Sequence, residues 1–225
     1  MKITDETHVF AEKMKYLAKQ KNKEYNAFVR IVSNYQIKIK EESIYMKILV
    51  VVAHPNLTQS HANRMLIEEV EKHADIDVHV LSSAYVQGKI NIKKEQEMLE
   101  VYDRIVLQFP FYWYNVPALF KKWLEDILTP GWAYSKDGDK LAKKEFILAI
   151  TTGGSKDGYQ AGGYNWHTIS EYTLPIQATI TRCQGVFLPS FVVYGTKSLT
   201  KIELKNYGKQ YVDYIKNYKY IPFGH

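Results

Sequence analysis

The sequence predicts a three-layer α/β fold, a five-stranded parallel sheet with helices on both faces. Two observations carry that expectation. Short aliphatic runs recur at residues 47–53, 105–109 and 145–151, and a run apolar at every position suits a strand covered on both sides. Between them lie segments with apolar residues at three- and four-residue steps, clearest in Leu119, Phe120, Trp123, Leu124, Ile127 and Leu128. Strands alternating with helices imply parallel pairing through right-handed crossovers.

Taken in order, residues 1–45 are polar and lysine-rich, with Phe10, Met14 and Leu17 and then Phe28, Ile31 and Val32 at helical spacing. Two short amphipathic helices are expected there, an N-terminal extension of no assigned chemistry. A start codon at Met46 is the alternative, because the α/β pattern begins at that residue. Residues 46–225 are expected to form one domain. Its first strand is 47–53, followed by a polar turn from His54 to His61 and a helix from about Ala62 to Val70. A second strand covers 77–82. Asn91 is placed to cap a helix reaching Leu99 and Val101, since its side chain accepts from a leading N–H.

The third strand, 105–109, ends at Pro110, which has no N–H for a ladder. A helix follows Pro117, a residue suited to a first helical turn. The fourth strand is 145–151, and one helix is expected from about 168 to 183, stopped by a left-handed Gly185. The fifth strand, 186–194, is interrupted by Pro189, and Ser198 is placed to cap a last helix to about Tyr218. Five such units suggest the order 2-1-3-4-5 of the flavodoxin-like sheet.

Composition narrows the function. A net charge of +6 permits anionic ligands, but the lysines are scattered with no nucleic-acid motif, so no nucleic-acid partner is expected. One cysteine, Cys183, excludes an intramolecular disulfide and a cysteine-based metal cluster, and a buried inert thiol is its expected role. No His/Asp/Glu set has ligand spacing, so no metal is expected. The chain has neither an apolar run of spanning length nor a secretion signal, so a cytoplasmic protein is expected.

Three loops should share the carboxyl edge of the sheet, where open α/β folds bind ligands. In 54–61 the helix start offers unpaired N–H groups for an anion, and Ser60, His61 and Asn63 can add side-chain donors. Ordinary capping by Ser60 beside a solvated His54 is the plainer reading. In 110–115, Phe111, Tyr112, Trp113 and Tyr114 stand in a row. They suit a flat aromatic ligand, a cap on the core, or a dimer contact. The loop beginning Thr151, Thr152, Gly153, Gly154 lets backbone N–H groups approach a ligand, with the Tyr159 phenol nearby. Asn165 and His167 offer further polar groups, or simply start a helix. A phosphate pocket, an aromatic cradle and glycine N–H groups together match a flavin nucleotide.

The residues that carry a family likeness are His54-Pro55 with Ser60 and Asn63, the run from Phe109 to Ala118, Trp123, the block from Gly131 to Tyr134, Thr151 to Gly154, the block from Tyr159 to Asn165, and Pro175 to Gln177. Together they resemble the NAD(P)H:quinone oxidoreductase family, in particular its short bacterial branch of general stress oxidoreductases and potassium-efflux ancillary flavoproteins. The resemblance implies a flavodoxin-like homodimer that passes a hydride from NADPH or NADH through flavin to a quinone or similar small aromatic acceptor. It implies that His54, Ser60, His61 and Asn63 hold the flavin phosphate and ribityl chain. Pro110, Phe111, Tyr112 and Trp113 would line the ring, and Thr151, Thr152, Gly153 and Gly154 its pyrimidine edge.

Tyr159 matches the family tyrosine that assists hydride transfer. Longer relatives pair it with a histidine; here the spacing leaves Asn165 or His167, a departure from the pattern. The short C-terminus favours FMN, with FAD as the rival. Two other roles are implied alternatives: a regulatory subunit of a potassium efflux antiporter, peripheral at the inner face of the membrane, or a flavodoxin-type electron carrier. Carriers of the second kind are usually acidic, unlike this chain.

Overall fold

The computed structural model describes residues 46–218. The two helices expected in residues 1–45 lie outside the described residues.

The sheet has β1 (Ile48–Val52), β2 (Ile76–Val80), β3 (Arg104–Pro110), β4 (Glu145–Thr151) and a fifth position in two pieces, β5 (Val186–Phe187) and β6 (Phe191–Val193). All pairs are parallel, in the order β2-β1-β3-β4-β5, with β6 also on β4. The expected order and the break at Pro189 are both present. Alternate strand residues serve opposite cores. Leu49, Val51, Ile105, Leu107, Phe109, Leu148 and Ile150 face one layer, while Ile48, Val50, Val52, Val106, Ile147 and Ala149 face the other.

Helices α1 (His61–Val70) and α7 (Lys201–Asn217) cover the second of these faces. The first carries α3 (Ile92–Val101), α4 (Ala118–Ile127) and α6 (Leu174–Arg182). The single turns α2 (Leu81–Ala84) and α5 (Ile169–Tyr172) complete the set. Asn91 caps α3 as expected, accepting from Lys94 N–H at 3.1 Å.

Several boundaries differ from the sequence reading, each for a local reason. The helix expected over 168–183 is two helices, α5 and α6, with Thr173 between them. Pro175 has no N–H, and its ring would crowd the carbonyl of Glu171 in a continuous helix. The left-handed residue after α6 is Gln184, with φ of 62°, not Gly185. Gly185 answers a different need: a Cβ there would lie 2.8 Å from the Phe146 ring and 2.9 Å from Ile180. The cap of α7 is Thr200 in a reciprocal pair with Glu203, while Ser198 Oγ donates to Gly195 O. Pro117 caps α4 from one residue outside it. Cys183 is buried, and burial raises its thiol pKa.

At the amino end of the sheet Arg104 is buried against Glu145 and donates to the carbonyls of Ile215 and Tyr218. Those are backbone acceptors in the last turn of α7 and just after it.

Candidate functional site

After β1 the chain enters its first loop at His54, only 7% exposed. The Asn56 N–H donates to His54 Nδ1 at 3.0 Å. Burial lowers the pKa of this imidazole below 6.5. With Nδ1 accepting, the neutral ring carries its proton on Nε2 and is a donor there.

Ser60 then caps α1, accepting from the Asn63 N–H at 3.2 Å and from the Asn63 side-chain amide at 3.3 Å. The Ser60 hydroxyl proton is left to donate. Arg64 N–H bonds back to Ser60 O. The N–H groups of His61 and Ala62 have no partner among the described residues. Both the plain cap and the anion-binding donors are therefore present at one helix start.

Asn63 was expected to offer its side chain to a ligand, and the structure uses it differently. It is 1% exposed. Its Nδ2 donates to Thr151 Oγ1 at 2.8 Å and to Ser60 Oγ, and its Oδ1 accepts from Gln108 Nε2 at 3.3 Å. Asn63 therefore ties the start of α1 to the end of β4 and to strand β3.

The aromatic loop begins with Phe111, whose N–H donates to Thr151 O at 2.8 Å and so extends the β3–β4 pairing past Pro110. Tyr112 and Asn115 then exchange two backbone hydrogen bonds, each 3.0 Å. The residues between them, Trp113 and Tyr114, have φ of 46° and 61°. Such primed turns normally take Asn-Gly or Gly-Gly, because a side chain at positive φ costs on the order of 1–2 kcal/mol. Two aromatics held in this conformation are strained residues of the kind found at ligand sites.

The Trp113 and Tyr114 N–H groups have no partner among the described residues. Trp113 is 94% exposed, whereas Phe111 is buried against Tyr159 and Tyr172. Tyr114 stacks on Tyr172 at 5.0 Å, and its hydroxyl bonds Asn165 Oδ1 at 3.3 Å.

In the third loop Thr152 Oγ1 accepts from Gly154 N–H at 3.2 Å and lies 3.1 Å from the Tyr159 hydroxyl. Gly154 N–H is thus engaged, and Gly153 N–H is the one without a partner among the described residues. Tyr159 is buried among Phe111, Tyr172 and Tyr194. Of the two residues expected to pair with it, Asn165 is buried and lines the same cleft, and its N–H is held by Gly158 O. His167 points outward, bonded to Glu171 and not lining that cleft.

Two clefts result. The first, of about 770 Å³, contains His54, Ser60, His61, Asn63, Pro110 and Thr151 in its lining. The second, of about 410 Å³, contains Trp113, Tyr114, Thr152, Gly154, Tyr159 and Asn165. Phe111, Tyr112, Gly153 and Lys197 belong to both, so the clefts adjoin. All the cleft-lining residues named from sequence are brought together, and His167 is not.

A fourth loop, after β6, was missed; it brings Thr196 and Lys197, and Arg64 and Lys201 were missed as well. The signal for Lys197 was available, because the loop after any parallel strand opens at the same edge.

The family model described as the flavodoxin-like fold matches residues 46–215. An uncharacterized NAD(P)H oxidoreductase of Bacillus subtilis, YrkL, is 46% identical over 171 residues, 76% of this chain and 98% of the relative. The glutathione-regulated potassium-efflux system ancillary protein KefG of Serratia proteamaculans is 34% identical over 76% of this chain and 93% of its own. Among solved structures, general stress protein 14 of Treponema denticola in complex with FMN superposes with a TM-score of 0.72, at 34% identity, over 75% of this chain and 97% of that one. An NADPH-quinone reductase from P. pentosaceus superposes with a TM-score of 0.70, at 29% identity, over 77% and 100%. With likeness of this extent in both sequence and backbone, the chain belongs to the flavodoxin-like fold family.

Proposed function

We propose that this protein is an NAD(P)H-dependent flavin oxidoreductase that reduces quinones or similar flat acceptors by two electrons. The observation that carries the reading is the adjoining of the two clefts through Phe111, Tyr112, Gly153 and Lys197. One end offers donors for a phosphate and the other an aromatic wall, as a phosphorylated planar cofactor requires. The residues fit FMN: Ser60 Oγ–H, His54 Nε2–H and the free N–H groups of His61 and Ala62 would hold its phosphate end. The N–H groups of Trp113, Tyr114 and Gly153 would meet the polar edges of its ring. Bound flavin supplies the chemistry, accepting hydride from NAD(P)H and passing two electrons to the acceptor.

The chain's part is to bind, orient and hold protons. Phe111 and the strained turn wall the ring side. Tyr159, with Thr152 as its hydrogen-bond partner, presents a phenol in the cleft that Gly153 also lines, and Asn165 is the polar neighbour that the buried geometry favours over His167. The likeness to a complex with FMN supports FMN over FAD, and the likeness to an NADPH-quinone reductase supports a quinone acceptor.

Trp113, Tyr164, Trp166 and Leu174 are exposed. A set of large apolar side chains facing solvent supports a homodimer that covers them. No helix among the described residues is long and apolar enough to cross a membrane.

A second reading, a subunit regulating a potassium efflux antiporter, is favoured by the likeness to KefG. The deciding experiment loads the protein with FMN and adds NADPH and menadione. Stoichiometric consumption of both supports the enzyme; a flavin-loaded protein with no turnover, which co-purifies with an antiporter, supports the regulator. A protein that stays colourless after incubation with excess FMN overturns both.

A further inference from the structure

We propose that Lys197 is an electrostatic determinant of the flavin reduction potential, an inference that rests on the flavin reading above. The turn that carries it is fixed tightly. Gly195 N–H donates to Gly154 O at 2.9 Å and Thr196 N–H to Thr152 O at 3.0 Å, so two hydrogen bonds bracket Gly153. Ser198 closes the turn with its N–H and hydroxyl on Gly195 O, at 2.9 and 2.8 Å. Gly195 takes the positive φ of 63° that this turn requires.

Lys197 therefore starts from a set position, and its stem lies across Gly153. A Cβ built on Gly153 would meet Lys197 Cε at 3.4 Å and Cδ and Cγ at 3.7 Å. The ammonium is one bond beyond Cε. Lys197 and Gly153 both line both clefts, and the Gly153 N–H has no partner among the described residues. Among the described residues Lys197 forms no ion pair, unlike Arg64, which is tied to Glu68 and to Thr58 O.

A cation and an unpartnered N–H lining the same two clefts favour whichever form of the ligand carries more negative charge there. Hydride transfer moves two electrons and one proton from the nicotinamide to flavin, forming an N–H bond at N5 and breaking a C–H bond on the nicotinamide. The oxidised nicotinamide leaves, and the reduced flavin carries one more negative charge than the oxidised flavin. In the second half-reaction a hydride equivalent passes to the quinone, which takes one further proton from solvent to become the quinol. Lys197 thus binds the reduced flavin more tightly than the oxidised flavin, which raises the potential.

The test compares the FMN-loaded wild type with Lys197→Met, Lys197→Gln and Lys197→Arg. Two quantities are read: the midpoint potential against a reference dye, and the FMN dissociation constant by fluorescence. Removing the charge should weaken binding of reduced relative to oxidised FMN about tenfold, which for two electrons lowers the potential by about 30 mV. Arg should restore most of the shift, and Gln stands in for Met if that variant does not fold. An unchanged potential, whether or not both flavin forms bind more weakly, overturns the proposal and leaves the flavin reading intact. A wild-type protein that takes up no FMN overturns both.

Discussion

The Asn63 side-chain amide donates to Thr151 Oγ1 at 2.8 Å, and this bond joins the start of α1 to the end of β4, 88 residues apart in the chain. Around it Ser60, Gln108 and the helix start form one network. Because the network is buried, an unmet partner carries the full cost of desolvation. Asn63→Ala should destabilise the protein by about 1–3 kcal/mol, seen as a lower urea midpoint, and should weaken FMN binding by loosening the loop. An unchanged midpoint would show that the helix start and the strand end are held by other means.

Trp113 poses the opposite balance, because its conformation opposes its side chain. Trp113→Gly relieves a positive φ and should raise stability by up to about 1 kcal/mol. The same change removes an aromatic from the ring cleft, so FMN should bind at least tenfold more weakly. Thermal melts without flavin and fluorescence titrations measure the two effects separately. Weaker binding without added stability would place the strain elsewhere; unchanged binding would remove Trp113 from the flavin site.

How much of this the sequence disclosed depends on whether the cause was local. The aliphatic β1, the Asn91 cap and the break at Pro189 were legible because the residues alone impose them. The role of Gly185 was not: it answers to Phe146, 39 positions away, and periodicity carries no information about such approaches. Asn63 was read as a ligand donor because a helix-start amide looks alike whether its partner is a ligand or Thr151. Nothing in the composition of its loop marks Lys197, and only the backbone turn lays its stem across Gly153. Tyr159 was readable as a motif, yet its tie to Thr152 needed the backbone.

Gly208 brings α7 close to α1. A Cβ there would lie 2.5 Å from Glu69 Cγ and 3.3 Å from Met65 O. Gly208→Ala gains about 1 kcal/mol of helix propensity but forces the two helices apart, an overpacking cost of about 1–3 kcal/mol. The second effect should win, because Glu69 is itself buried and paired with Lys72. A lower melting temperature is expected, and a higher one would show that Glu69 swings aside freely.

His54 gives stability a pH dependence of known sign. Burial holds its folded pKa below 6.5. Between the folded and unfolded values the unfolded chain binds more protons, so stability falls as pH drops below about 6.5 and the loss is complete below the folded pKa. Urea midpoints measured from pH 8 to 5 should therefore decline in that window, and His54→Gln should flatten this part of the curve. FMN affinity should stay level from pH 8 to 6.5, since neutral His54 is the donor throughout. A binding curve that strengthens with a midpoint near 6.5 would instead make His54 a cation toward the phosphate.

Tyr159→Phe separates chemistry from binding most directly. The ring packs on Phe111, Tyr172 and Tyr194, and phenylalanine keeps those contacts. Thr152 Oγ1, losing its 3.1 Å partner, still accepts from Gly154 N–H. The fold and the cleft should therefore survive. What disappears is a phenol proton in the second cleft, and a donor that acts on developing charge is worth about 100- to 1,000-fold in rate. Stopped-flow reduction by NADPH should slow by at least tenfold while the FMN dissociation constant changes by less than about fivefold, the worth of one ordinary hydrogen bond. Equal losses in both would make Tyr159 a binding contact alone, and a rate unaffected by the change would move the proton-holding role to Asn165.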